Sequence, residues 1–266
     1  MAMLKADNLH ITFNPGTPIE TRALQGMSLH IPEGQFVAVI GSNGAGKSTF
    51  LNAIAGEILV DSGSILLDEI DVTKKKSWQR AHEVARVFQD PMAGTCEDLT
   101  IEENLALAYQ RGERRGLGRA VKNFMHDLFR ERLKILGLGL ENRLTDRIGL
   151  LSGGQRQAVS LLMAALQPSK ILLLDEHTAA LDPRTASFVL ELTEKIVNEE
   201  KLTTMMVTHS MKQALEVGER TVMLHQGKVV LDVSGDERKN LTVKDLLLMF
   251  EKVRGEEIDD DALILA

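Results

Sequence analysis

The 266-residue chain reads as an α/β protein whose parallel sheet is covered on both faces. Short apolar runs, FVAVIG (36–41), ILLLD (171–175), TMMVTH (204–209) and TVMLH (221–225), suit strands buried on both sides. Helix-patterned segments at 47–56, 184–200 and 211–217 alternate with them. A glycine-rich loop joins the first of these strands to the first of these helices, a connection that such sheets use to bind phosphate.

The elements follow in order. Residues 4–13 and 22–31 show partial alternation and are separated by the turn-prone Asn14-Pro15-Gly16-Thr17-Pro18, which predicts two N-terminal strands. Pro32-Glu33-Gly34 turns the chain into the strand at 36–41, and Gly56 stops the helix that begins at Lys47. A short apolar run, Ile65-Leu66-Leu67, follows Gly63. Residues 101–150 are rich in Leu, Glu and Arg at helical spacing and are broken by glycines, so they read as helices inserted between strands. Thr100 with Glu103 forms a candidate capping box at the start of that region. Residues 241–254 read as a closing helix with Thr242 as its start signal, and the terminal EEIDDDALILA as a frayed tail. No internal repeat is visible.

Composition narrows the function. Lysine and arginine number 31 against 38 aspartates and glutamates, a net charge of −7, which disfavours duplex nucleic acid as a partner. Hydrophobic residues are 44% and charged residues 26% of the chain, so it has ample material for a core. The lone Cys96 excludes an internal disulfide framework and a multi-cysteine zinc module. No apolar run reaches the ~18–20 residues of a membrane span, and the N-terminus lacks a signal-peptide apolar stretch; a cytoplasmic location is expected.

Gly41-Ser42-Asn43-Gly44-Ala45-Gly46-Lys47-Ser48 matches G-x-x-x-x-G-K-[ST] in full. Glycines let the backbone wrap so that its N–H groups form an anion nest, and the following helix adds its positive end. Lys47 suits the β- and γ-phosphates of a nucleotide, Ser48 a Mg²⁺ ion, and Thr49 the α-phosphate. ILLLD ends in Asp175 and is followed at once by Glu176, which places two carboxylates at the carboxyl end of a buried strand. Asp175 is read as a Mg²⁺ ligand, through water, and Glu176 as the group that polarises a water aimed at the γ-phosphate.

Between these motifs stands Leu151-Ser152-Gly153-Gly154-Gln155. With it the sequence resembles the ATP-binding-cassette (ABC) ATPases over about residues 4–235. The resemblance implies a P-loop NTPase (RecA-like) parallel-sheet core with an N-terminal antiparallel β subdomain and an inserted α-helical subdomain. It divides the chain into an ATPase domain at 1–240, its helical insertion at about 92–160, and a C-terminal helix and acidic tail at 241–266.

The same resemblance assigns further roles. Gln89, in VFQDP, corresponds to a glutamine that touches the metal and reports nucleotide state. Asp182, in Ala180-Leu181-Asp182, belongs to a loop at the dimer seam. His209 corresponds to a γ-phosphate-contacting histidine, and Phe13 to an aromatic stacked on adenine; a Phe in a first strand also reads as core. Ser152, Gly153, Gly154 and Gln155 would cover the ATP bound by a second, head-to-tail cassette. Two departures stand out. His177 occupies a position where the family most often has proline, and either tunes Glu176 or merely replaces proline in the turn. Ala158 stands where many members carry Arg.

A motor with no membrane span implies permease subunits on separate chains, an organisation typical of bacterial importers in the family. The expected partners are a homodimer or paired cassette, integral membrane permease subunits and a separate substrate-binding protein, with the chain peripheral on the cytoplasmic face of the membrane. GTCEDLTIEENL and DEHTAALDP resemble segments of a group of bacterial cassettes whose permeases are like those for branched-chain or aromatic amino acids, so the resemblance implies an amino-acid-type permease system. A soluble iron–sulfur-assembly ATPase of the same family is the alternative. The basic cluster Arg111, Arg114, Arg115, Arg119 and Lys122 reads either as a face for anionic lipid or permease, or as a solvated surface.

Overall fold

The structure is a computed structural model that describes residues 2–113, 116 and 118–254. The acidic tail, and Arg114 and Arg115 of the basic cluster, lie outside the described residues. In chain order the elements are β1 (Ala2–Phe13), β2 (Thr21–Pro32), β3 (Phe36–Gly41), α1 (Lys47–Ala55), β4 (Ser62–Leu67), β5 (Ile70–Asp71) and β6 (Val84–Val87). Then come α2 (Ile101–Tyr109), α3 (Asn123–Lys134), α4 (Gly153–Ala165), β7 (Ile171–Asp175) and α5 (Pro183–Glu200). The chain closes with β8 (Thr204–Val207), α6 (Met211–Glu216), β9 (Arg220–His225), β10 (Lys228–Ser234), α7 (Gly235–Lys239) and α8 (Val243–Arg254).

The residues divide into two compact units, one running to Ser77 and resuming at Leu202, the other spanning Trp78–Lys201. In the first unit β1 pairs antiparallel with β2 and with β4, giving the antiparallel sheet expected of the N-terminal region, with β5 added beyond β4. Its other strands run in the order β10-β9-β3-β8. There β3 is parallel to both β8 and β9, and β10 pairs antiparallel with β9. All six residues of β3 are buried, as its unbroken apolar run requires. Strand β10, which the sequence reading left out, returns from β9 through Gln226-Gly227, both at positive φ.

In the second unit β6 and β7 pair in parallel, Val84 against Ile171 through Val87 against Leu174. The helical insertion carries its own start signals. Thr100 Oγ1 accepts from the Glu103 amide at 3.2 Å while Glu103 Oε2 accepts from the Thr100 amide at 2.8 Å, so the expected capping box opens α2. The wholly buried Asn104 fastens the preceding loop, its Oδ1 accepting from Cys96 N at 2.8 Å and its amide donating to Thr100 O at 2.9 Å.

The solvated-face reading of the basic cluster fails at Arg111. Its guanidinium donates to Ala164 O at 3.1 Å and to Gln167 O at 3.2 Å, the end of α4, where exposed carbonyls attract a cation. Burial lowers its pKa, the direction expected when a charge is held away from water. Arg111 is a helix-end clamp rather than a lipid-facing charge. Replacing it by leucine frees two carbonyls and is expected to destabilise the protein by about 1–3 kcal/mol in urea unfolding. Unchanged stability would remove the clamp from the packing of this region.

Candidate functional site

In the first unit the phosphate loop grows out of β3. Gly46 sits at φ +98°, a conformation side chains rarely adopt, and a Cβ there would lie 2.7 Å from Ala23 O, so the loop needs glycine at this point. The Ala45 amide donates to Ser42 O at 3.1 Å and the Phe50 amide to Gly46 O at 2.8 Å, so the turn passes directly into α1. Gly41, Ser42, Asn43 and Gly44 span the bend between β3 and α1, with Asn43 and Gly44 exposed. Lys47 is only 5% exposed, and its Nζ donates to Gly41 O at 2.7 Å and Ser42 O at 3.1 Å. The ammonium is therefore curled into the loop and satisfied by two of its carbonyls. Ser48, next along, is exposed, and Thr49 is half-buried.

His209 belongs to the same unit. The reading of 204–209 as one strand is too long, because β8 ends at Val207. Val207 pairs with Val39, and the Thr208 amide still donates to Val39 O at 3.1 Å, after which the chain turns. His209 therefore leaves β8 at the end where β3 opens into the phosphate loop. Ser210 caps α6, its Oγ accepting from the Gln213 amide at 3.2 Å. Phe13 is exposed at the end of β1, so it is not a core residue.

The second unit holds the remaining residues. Parallel pairing of β6 with β7 puts Gln89 and the Asp175-Glu176 pair at the same ends of neighbouring strands. Gln89 is exposed and Asp175 half-buried. Arg86 Nη2 lies 2.6 Å from Asp175 Oδ2, and its guanidinium stacks 4.5 Å from the centre of the Phe88 ring. Sequence reasoning missed Arg86, whose role appears only once β6 and β7 are paired. It also missed Gln157 of α4, fully buried, whose amide donates to Phe88 O at 3.1 Å and ties the helix after the glycine motif to the residue before Gln89.

Ser152 caps α4, with its Oγ accepting from Gln155 N at 3.3 Å and Gln155 Oε1 accepting from Ser152 N at 3.2 Å. Ser152 and Gly153 are exposed at the positive end of this 13-residue helix, a surface suited to an anion. Gly154 faces Thr185 so closely that a Cβ there would collide with its methyl group. Asp182 caps α5, its Oδ1 accepting from Thr185 N at 3.1 Å with Pro183 as the first helical residue. Hydrogen bonds from Thr185, side chain before backbone, hold the Asp182 carboxyl below the usual carboxylate range. A capping role thus accounts for Asp182 locally.

Glu176 has φ +45°, the left-handed region, and its carbonyl accepts from the Ala179 amide at 2.9 Å in the turn that follows. His177 is 1% exposed, with Nε2 at 2.9 Å from Thr193 Oγ1 on α5. Thr193 Oγ1 donates to Val189 O at 2.8 Å, so it accepts from the histidine and the imidazole proton sits on Nε2. Burial lowers the His177 pKa to about 4, so the ring is neutral at pH 7.

The donor set suits Mg²⁺. In the second unit Asp175 and the exposed Gln89, at the same ends of paired strands, both offer oxygen; in the first unit the exposed Ser48 hydroxyl offers oxygen as well. Among the described residues no group of three His, Cys, Asp or Glu is placed to hold a metal ion.

The family model described as ABC transporter matches residues 24–179. A tyrosine transport ATP-binding protein of Clostridioides difficile (strain R20291) is 47% identical over 251 residues, covering 94% of this chain and 99% of that protein. The thiamine import ATP-binding protein ThiQ of Shigella sonnei (strain Ss046) is 35% identical, covering 79% of this chain and 85% of that protein. Among solved structures, the dimeric post-hydrolysis ATP-binding cassette MJ0796 bound to ADP and Pi superposes with a TM-score of 0.73 at 30% identity, covering 87% of this chain and 98% of that one.

The buried histidine generates a pH prediction. Between about pH 6.5 and 4 the unfolded chain protonates this residue while the native one keeps it neutral. The native state then binds fewer protons, so stability falls as pH drops through that window and this loss levels off below it. Relative to a His177→Gln variant, the wild type is expected to lose up to about 3 kcal/mol on acidification across that range. Urea unfolding at fixed pH checks it; parallel curves for the two proteins would contradict a neutral buried imidazole.

Proposed function

The chain belongs to the ABC transporter family of ATPases, and on that footing we propose that it energises an amino-acid-type importer by ATP-driven closure of a head-to-tail cassette dimer. The chain is an ATP-binding, ATP-hydrolysing subunit of the importer type. The observation that carries the importer reading is the 47% identity, over nearly the full length of both chains, to a protein named for tyrosine transport. No described helix is long and apolar enough to cross a membrane. In the proposed system the permease is made of other chains, with the cassette on its cytoplasmic face. A separate substrate-binding protein completes the proposed system.

The proposed chemistry follows from the residues. Lys47 exchanges its contacts with Gly41 O and Ser42 O for phosphate oxygens, so its charge moves from carbonyl dipoles to an anion without being exposed to bulk water. The phosphate-loop amides and the N-terminus of α1 hold the rest of the triphosphate. Phe13 stacks on adenine. Asp175, Ser48 and Gln89 would hold Mg²⁺, which when bound neutralises charge developing on the phosphates. Glu176 accepts a proton from water as the water oxygen bonds to the γ-phosphorus and the bond to the β–γ bridging oxygen breaks, giving ADP and phosphate. His209 contacts the γ-phosphate. Ser152, Gly153, Gly154 and Gln155, together with Asp182, serve the partner cassette's nucleotide, which makes hydrolysis conditional on assembly.

Three outcomes are expected. Glu176→Gln binds ATP, accumulates as a dimer in size exclusion and turns over about 10²–10⁴-fold more slowly; normal phosphate release would strip Glu176 of its role. Lys47→Ala loses tight nucleotide binding, measured with a fluorescent ATP analogue, and wild-type affinity would contradict the phosphate-loop assignment. Affinity purification from membranes recovers integral permease chains; recovery of soluble iron–sulfur scaffold proteins instead would favour the alternative.

A further inference from the structure

Three consecutive residues, Asp175, Glu176 and His177, end β7 and begin the turn that leads to α5. Those on either side of Glu176 are held by side-chain partners. Asp175 is paired with Arg86 at 2.6 Å, and His177 is bonded to Thr193 at 2.9 Å with both partners of that bond buried. Glu176 between them adopts φ +45°. A non-glycine residue in that region is strained and persists only where its surroundings over-determine it. The His177–Thr193 bond is suited to that task, because it ties the residue next to Glu176 to the third turn of α5, an 18-residue helix.

We propose that His177 is a positioning residue for ATP hydrolysis: through its Nε2–H bond to Thr193 Oγ1 it holds the turn that keeps the Glu176 backbone left-handed and so aims the Glu176 carboxylate. This rests on the reading of Glu176 as the group that takes the proton from water. His177 itself touches neither substrate nor the reacting atoms, and the bond acts as a fixed anchor. The imidazole donates from Nε2 while the Thr193 hydroxyl, already donating to Val189 O, can only accept, so the direction of the bond is fixed by the helix. A one-ångström misplacement of a catalytic group can cost as much as ~10²-fold in rate, so loss of such an anchor is expected to show in turnover.

The test uses the full chain and measures phosphate release against ATP concentration, with a fluorescent ATP analogue for affinity and thermal unfolding for stability. Thr193→Val keeps the shape of the side chain and removes the acceptor; Thr193→Ser restores it. The double variant His177→Leu/Thr193→Val removes both polar partners, which spares the penalty of a buried unsatisfied donor. Thr193→Val and the double variant are expected to lower kcat about tenfold or more, with the KM for ATP within about twofold, while Thr193→Ser stays near wild type. The stability of the double variant recovers toward wild type and its kcat does not. If kcat returns along with stability in the double variant, or if KM rises in step as kcat falls, the histidine only supports the fold and the proposal is overturned. Glu176→Gln is run beside them. Normal turnover in the Thr193 and His177 variants next to an inactive Glu176→Gln defeats the positioning role alone. Normal turnover in Glu176→Gln defeats the reading beneath it, and the proposal with it.

Discussion

A buried strand with no polar side chain can carry no chemistry of its own, and this constraint decides where the chain becomes reactive. β3 and β8 are apolar or wholly buried along their length, and β7 is so until its last residue. Each pairs in parallel with a neighbour, which aligns their carboxyl ends. Polar function begins where burial stops: the phosphate loop after β3, Thr208 and His209 after β8, Gln89 two residues beyond β6, and Asp175 and Glu176 at the end of β7. Parallel pairing thus converts residues far apart in sequence into common ends of neighbouring strands, which antiparallel pairing of the same strands would scatter to opposite ends.

The net charge of −7 then acquires a physical meaning. A polyphosphate cannot rely on the long-range field of such a chain, so attraction has to come from short-range devices. The structure supplies them as backbone amides at the starts of α1 and α4 and as the buried ammonium of Lys47. Lys47 is held in advance by two loop carbonyls, which would lessen the entropy lost on the proposed exchange of these contacts for an anion.

What the sequence could reveal was what local patterns encode. The phosphate loop, the strands at 36–41 and 171–175, the capping box of Thr100 with Glu103, and the cap at Thr242, whose Oγ1 accepts from Asp245 N at 3.3 Å, all depend on residues a few positions apart. What it concealed depends on distant partners. Arg111 looked like one member of a surface cluster because its acceptors, Ala164 O and Gln167 O, are more than fifty residues away. Arg86 lay unremarked in a four-residue strand until β7 was placed beside it. β10 was overlooked because its exposed and half-buried residues give little alternation, although Gln226-Gly227 before it is a turn signal. For His177 the sequence left two roles open; the bond to Thr193 gives the imidazole a defined mechanical task that proline, with no side-chain donor, cannot perform in the same way.

Helix α5 is where several of these features meet within one unit. Its first turn receives the close approach of Gly154 at Thr185 and carries the Asp182 cap, and eight residues further on Thr193 holds His177. At about 1.5 Å of rise per residue these two contacts are ~12 Å apart along a rigid rod. The same rod therefore fixes the start of the helix that follows the Ser152-Gly153-Gly154 motif and the turn that follows the Asp-Glu pair. A shift of α5 along its axis would displace both, since neither a glycine lacking space for a Cβ nor a buried histidine with a fixed proton can slide to a new partner without loss. One helix thus packs against the glycine motif at Thr185 and holds the carboxylate turn at Thr193, so the spacing of those two segments is set by the rise of α5 between the two contacts.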